Sequence, residues 1–285
     1  MIVSIVIIFD ELRKEKLNRL INSFKDQLNQ HESEVILVHE SIEKDNSLHL
    51  PTNFKYFIVP PKRGIAFNRN KGIEYSKGEI IVFIDDDCWV QEKWLSSLLE
   101  SFNDNKTLVT TSGTRIPKSN LVGNCISALG FPGGGNLGFE KVWKVSNEGY
   151  TNHLAVGNSA LNRKVFELVG TFDESMTFGA EDAEISYRLE KAGILIKYVP
   201  NAYAYHEART TLSSFSRWQI RRGRANYYFK KKVGKVGSFI KLRLWSTKNI
   251  LSENKFNLRL PLILILLSFS FVLQQMGYIY ERFKK

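Results

Sequence analysis

The order of the apolar runs near the start of the chain restricts its fold more than any other feature. SIVIIF (Ser4 to Phe9) is followed by an amphipathic stretch from Leu12 to Leu28, then by EVILV and FKYFIV. A helical stretch from Ile65 to Ser76, closed by Gly78, leads into EIIVFI, which ends at Ile84. Short apolar runs alternating with helical segments predict a mainly parallel sheet with helices on both faces. In such a sheet, ligands bind beyond the carboxyl ends of the strands. A chain of 285 residues accommodates one large domain of this kind, or one domain with an appendage.

The fourth run ends at such a position in three consecutive carboxylates, Asp85, Asp86 and Asp87. Like charges in a row repel unless something positive stands among them. A hard divalent cation, Mg²⁺ or Mn²⁺, prefers oxygen ligands and completes its shell with phosphate oxygens. A solvated acidic turn or a simple strand cap would use the same residues, but the strand-end position favours a site.

Beyond Asp87 the pattern loosens. Trp94 to Phe102 is predicted helical and LVTTSGTRI a strand. FPGGGNLG (Phe131 to Gly138) is expected to be a mobile loop, because it is too glycine-rich for regular structure. Lys164 to Val169 is predicted as a short helix and Asp182 to Ala192 as an amphipathic one ended by Gly193. ILIKYVP gives a further strand, followed by AYAYHEA.

Several of these pieces recur together. Arg69-Asn70 and Gly72 lie one helix before the aspartates; GTFDE (Gly170 to Glu174), Glu181-Asp182 and Arg188-Leu189 with Gly193 lie after them. Over about residues 1–210 the chain resembles the family 2 glycosyltransferases, which use the nucleotide-sugar-binding GT-A fold. The resemblance implies an inverting transfer of a sugar from a nucleotide diphosphate sugar to a hydroxyl of a glycan or lipid-linked acceptor, in cell-surface polysaccharide or glycolipid assembly. It places Asp87 on a divalent metal (Mn²⁺ or Mg²⁺) and Asp85 on the nucleotide ribose or a metal-bound water. Asp86 and Arg69 would lie beside the nucleotide, and His206 near the diphosphate or metal. Asp182 would be the base and Glu181 an acceptor contact.

The chemistry of such a transfer agrees. An in-line displacement needs a base for the acceptor hydroxyl on one side of the sugar and a charge sink for the diphosphate on the other. Read alone, Glu181-Asp182 could merely complement a helix dipole, and His206 could be a surface histidine after a strand. The chain departs from the family at two strand ends. Ile8 to Glu11 read IFDE, where Phe9 and Glu11 take the donor-side positions, and the second strand ends in His39-Glu40 instead of an aspartate. Phe9 either covers a base face or belongs to the core, and the nucleotide base stays open.

The basicity is local. Residues 209–259 hold 14 Lys/Arg against the single acid Glu253, whereas residues 1–208 hold 23 Lys/Arg against 27 Asp/Glu. The family resemblance implies that FSRWQIRRGRANYYFKKK (Phe215 to Lys232) closes over the site, with an arginine or Trp218 touching acceptor or diphosphate; a solvated basic face is the plainer alternative. The next stretch, with Phe239 and Trp245 among basic residues, suits an anionic membrane surface. Nucleic acid is disfavoured because no recognition motif is present. Leu258 to Tyr280 would reach about 34 Å as a helix, enough to cross a bilayer core of about 30 Å. It could also lie in the membrane plane or pack on the domain. The resulting division is a catalytic domain over 1–210, a basic segment over 211–257 and an anchor over 258–280.

Cys88 and Cys125 make no disulfide framework, and the start lacks the marks of a signal peptide. These features, with the basic side placed inward, predict a location on the cytoplasmic face of the cell membrane. A non-catalytic nucleotide- or lipid-binding protein on the same fold is the competing class. A sugar nucleotidyltransferase is weaker, because no glycine-rich loop follows the first strand.

Overall fold

The computed structural model describes residues 2–10, 13–45, 50–104, 106–234 and 237–284. Glu11 and the Phe239 side chain, both singled out above, lie outside the described residues. The first four strands are β1 (Val3–Asp10), β2 (Ser33–Glu40), β3 (Phe54–Val59) and β4 (Ile80–Ile84), all mutually parallel. Parallel neighbours need crossovers, and α1 (Lys14–Phe24) and α2 (Ile65–Tyr75) supply two of them. Helix α1 turns Leu17, Leu20, Ile21 and Phe24 inward. These residues share one core cluster with Ile5, Ile7 and Phe9 of β1. Val6, Ile36 and Phe83 point to the opposite face and join Ala66 and Ile73 of α2 there. The strands are therefore covered on both sides, which is why they read as continuous apolar runs.

The remainder comprises β5 (Cys88–Val90), α3 (Trp94–Glu100), β6 (Val109–Thr111), β7 (Thr114–Arg115), α4 (Leu121–Ala128), α5 (Phe139–Val142), β8 (Tyr150–Thr151) and β9 (Asn158–Asn162). These are followed by α6 (Lys164–Val169), α7 (Glu181–Lys191), β10 (Ile196–Tyr198), β11 (Ala204–His206), α8 (Leu212–Val233), α9 (Gly237–Asn254) and α10 (Leu260–Phe283). The main sheet runs β3-β2-β1-β4-β9-β6-β10-β8, and β5-β11-β7 form a second, small sheet. The parallel half ends at β4, because β9 lies antiparallel between β4 and β6.

Two expectations need correction. LVTTSGTRI is not one strand: it splits into β6 and β7, which belong to different sheets. The chain changes sheet at Ser112-Gly113, where Ser112 N–H donates to Asn158 and the Gly113 carbonyl accepts from Ala204. FPGGGNLG is a packed turn. Phe131 and Leu137 are buried, and the Gly133 carbonyl accepts from Thr114 N–H at 2.8 Å.

The motif residues around α2 divide their work by facing opposite ways. Arg69 is buried towards the strand ends, while Asn70 clamps the GTFDE turn. Its Nδ2 donates to Phe172 O and Glu174 Oε1, both at 2.9 Å, and its Oδ1 accepts from Phe172 N–H at 2.9 Å. Arg188 grips the same turn from α7 through the Gly170 and Thr171 carbonyls. Asn70→Ala should lower stability by about 1–3 kcal/mol and the melting temperature by several degrees. Calorimetric unfolding checks this; an unchanged midpoint would show that the clamp is idle.

The expected boundaries near 210 and 257 fall between elements that share one hydrophobic cluster. Cys125, Ile126, Leu129 and Phe131 pack with Phe215, Ile250, Ile263 and Leu266. Among the described residues, α10 is the one helix long and apolar enough to cross a membrane, with 24 residues and a mean hydropathy of 1.9 in its apolar window.

Candidate active site at the carboxyl end of the sheet

Asp85 to Asp87 form the turn between β4 and β5, closed by Cys88 N–H donating to Asp85 O at 3.1 Å. The turn sits beside the point where chain order reverses around β1, at the carboxyl ends of the parallel strands. Each carboxylate has its own positive partner, so the answer to their repulsion is partly built into the protein. Asp85 accepts from Arg69 Nη2 at 3.2 Å, Asp86 from Arg13 Nη1 at 2.7 Å, and Asp87 faces His206 Nε2 at 3.2 Å. Asp85 can stand there because residue 157 is glycine: a Cβ on Gly157 would come within 2.1 Å of Asp85 Oδ2.

The three aspartates are not equivalent. Asp86 is only 2% exposed, and its pKa is pushed up to about 7, first by burial and then by its acidic neighbours, against the pull of Arg13. The expectation that Asp86 contacts the nucleotide is therefore corrected: its side chain turns into the protein and holds Arg13. Asp87 is also enclosed, but His206 and Arg13 outweigh burial and hold its carboxyl well below the usual range. Phe9 belongs to the core. It is 2% exposed and its ring lies flat on His39, with centroids 4.4 Å apart, so it cannot cover a base. Glu40 is turned to the start of α2, accepting from Lys62 N–H at 2.5 Å and Asn68 Nδ2 at 2.7 Å.

His206 arrives by strand register. It pairs with Cys88 across β11 and β5, one residue from Asp87. Its Nδ1–H donates to Glu207 O at 2.7 Å, which fixes the tautomer and aims Nε2 at Asp87. Burial opposes a charge on the ring, yet the Asp87 carboxylate outweighs it and raises the pKa. This donor set fits a divalent cation. Two adjacent ligands of an octahedral ion with bonds of about 2.0–2.1 Å stand roughly 3 Å apart, close to the Asp87–His206 spacing, and a second hydrogen bond on the far ring nitrogen is usual for a metal-binding histidine. Asp85 does not complete that pair. Its carboxylate is turned to Arg69, and among the described residues no three His, Cys, Asp or Glu side chains converge on one point.

Arg69 connects the two halves of the site. Its Nη1 pairs with Glu181 Oε1 while Nη2 reaches Asp85. Glu181 opens α7 and is buried, with its other oxygen unpartnered. Asp182 is half-buried, and its Oδ1 accepts from Ala183 N–H at 2.7 Å. Burial raises the pKa of both carboxyls, and Arg69 offsets part of that rise. Helix α8 borders the same region: Arg221 Nε donates to Phe178 O at 3.1 Å, in the loop before α7. Arg209 and Arg222 lie over Trp218, 4.6 and 5.0 Å from its centroid, and each keeps a buried N–H without a hydrogen-bond partner. The sequence reading passed over Arg13 and Arg209. The one available signal for Arg13 was its place three residues after Asp10, in the loop leaving the first strand.

A half-parallel sheet of this order, with an acidic turn at β4 and an acidic helix start across from it, defines an α/β fold of the GT-A nucleotide-sugar transferase class. The chain belongs to glycosyl transferase family 2, whose model matches residues 4–167. Among curated proteins, polypeptide N-acetylgalactosaminyltransferase 11 of Xenopus tropicalis is 28% identical over 227 residues, covering 71% of this chain and 37% of that one. The chain thus spans little more than a third of the length of such relatives. Among solved structures, the mannosyltransferase PcManGT from Pyrobaculum calidifontis in complex with GDP-Man and Mn²⁺ superposes with a TM-score of 0.61 at 15% identity, over 99% of this chain and 87% of that one. GalNAc-T7 with UDP, GalNAc and Mn²⁺ gives 0.57 at 17% identity, over 91% and 57%.

Proposed function

We propose that the protein transfers a sugar, with inversion, from a nucleotide diphosphate sugar to a hydroxyl of a glycan or lipid-linked acceptor. One observation carries the reading: a single guanidinium, Arg69, spans from Asp85 in the β4 turn to Glu181 at the start of α7. The donor-side acids and the acceptor-side acids are therefore one side chain apart on separate elements, as an in-line displacement requires. Glu181 is committed to Arg69, which leaves Asp182 to take the proton from the acceptor hydroxyl. Asp87 and His206 would hold a divalent cation, which when bound supplies the charge sink for the departing diphosphate. Arg209 and Arg222, with their unpaired buried N–H groups, add positive charge on the α8 side. The Mn²⁺ and nucleotides named with the two solved neighbours support a metal and a nucleotide-sugar donor.

The place of the reaction in cell-surface glycan assembly, at the cytoplasmic face of the membrane, is part of the same proposal. The apolar α10 and the basic stretch before it support this part. A panel of UDP- and GDP-sugars, incubated with Mn²⁺ and candidate glycan or lipid-linked sugar acceptors, should release nucleoside diphosphate and give a product of inverted anomeric configuration by NMR. Retained configuration would overturn inversion. Tight nucleotide-sugar binding without turnover across the panel would overturn catalysis.

A further inference from the structure

Helix α10 buries Ile263, Leu266 and Leu273 on one side, yet its second half also buries polar residues while apolar ones face outward. A surface helix of a soluble protein turns apolar residues inward and polar residues to water. Here Ser270, Gln274 and Glu281 are among the buried positions, together with Gly277. The outward positions are Ile265, Val272, Met276, Ile279 and Tyr280, each at least half exposed, and Phe283. The orientation is locked. Gln274 Nε2 donates to Gln219 Oε1 at 2.6 Å, and Tyr228 O–H donates to Glu281 Oε2 at 2.8 Å. Arg224 pairs with the same Glu281. Glycines seat the contact, since a Cβ on Gly277 would lie 2.1 Å from Ile220 O, and one on Gly223 would lie 2.0 Å from Gln274 O.

A second observation lies at the turn between α9 and α10. Phe256 and Leu258 are 88% and 99% exposed, and the cations Lys255 and Arg259 flank them. Apolar tips between cations match a lipid interface, where the rings and chains enter the acyl boundary and the charges meet headgroups.

The pairings also fix how α10 can meet a bilayer. Gln219 with Gln274, and Tyr228 with Glu281, show that α8 and α10 run side by side in the same direction. Helix α8 carries Arg217, Arg221, Arg222, Arg224 and Lys230 to Lys232. A spanning α10 would draw this row into hydrocarbon, where such charges are costly.

We infer that the Lys255–Arg259 tip and the outer face of α10 dock in the plane of an anionic lipid bilayer, without crossing it. The full chain should float with vesicles of mixed phosphatidylglycerol and phosphatidylcholine, and far less with phosphatidylcholine alone. Phe256→Glu with Leu258→Glu should weaken vesicle binding by roughly a hundredfold. Their near-complete exposure predicts an unchanged melting temperature, which serves as the folding control. Val272→Glu with Met276→Glu should weaken it likewise through the helix face. A protease-accessible tag after Lys285, on the same side of the vesicle as the catalytic domain, is the expected topology. A protected tag would establish a spanning helix and overturn the inference. So would wild-type affinity in both double variants, or light scattering that shows a dimer lost in them with no flotation.

Discussion

Asp182→Asn should lower the transfer rate by about 10²–10⁴-fold, the usual share of general-base catalysis, while donor and metal affinity stay near wild type. The substitution keeps the size of the side chain and removes its basicity. Under the proposed roles donor binding draws on Asp85, Asp87 and His206, on other elements of the fold, and should survive. A pH profile sharpens the test. A base must be ionised to act, and burial raises the pKa of Asp182. Activity should therefore climb with pH through a limb set above the ordinary carboxylate range, and that limb should vanish in Asp182→Asn. Glu181→Gln should act differently. It removes the partner of Arg69 Nη1 and should raise the acceptor KM more than it lowers kcat. If the limb persists in Asp182→Asn and is lost in Glu181→Gln, the two roles are exchanged.

Asp87→Ala should weaken metal-dependent nucleotide binding by at least about 100-fold, measured by calorimetric titration of nucleoside diphosphate with and without Mn²⁺. The fold should persist. Without the Asp87 carboxylate, His206 loses the strongest of the groups that favour its charge, and Arg13 keeps Asp86. Asp86→Asn provides the contrast. Asp86 is enclosed against Arg13, so its loss should register as stability and leave the metal-dependent increment intact. Equal nucleotide affinity in wild type and Asp87→Ala would remove Asp87 from the ligand set.

The parallel half of the sheet was legible because strands buried on both faces must be apolar without interruption, and the segments between them had helical period. Strand β9 was not, because NSALN offers only Ala160 and Leu161 as apolar residues. Its first residue is buried through partners distant in sequence: Asn158 accepts from Trp94 Nε1 at 2.9 Å and donates to the Gly113 and Ala202 carbonyls. The same division holds at the site. Asp85, Asp87, Arg69, Glu181, Asp182 and His206 stood in recognisable local patterns. The pairing of Arg13 with Asp86, 73 residues away, depends on where β1 and β4 lie in the sheet. Phe9 and Asp86 sat in the right stretches, but their burial follows from which way a strand end or turn faces. Hydropathy located α10 but could not say which side of it faces the protein.

The clustering of Phe215, Ile263 and Leu266 with Cys125 and Ile126 bears on how this protein can be made in soluble form. Trimming the chain before α10, the usual remedy for an apolar tail, would strip a structural wall. It would open the seam at Gly223 and leave Gln219 without its partner Gln274. Repainting only the outward positions, such as Val272 and Met276, with polar side chains would leave that wall standing while removing the apolar outer face.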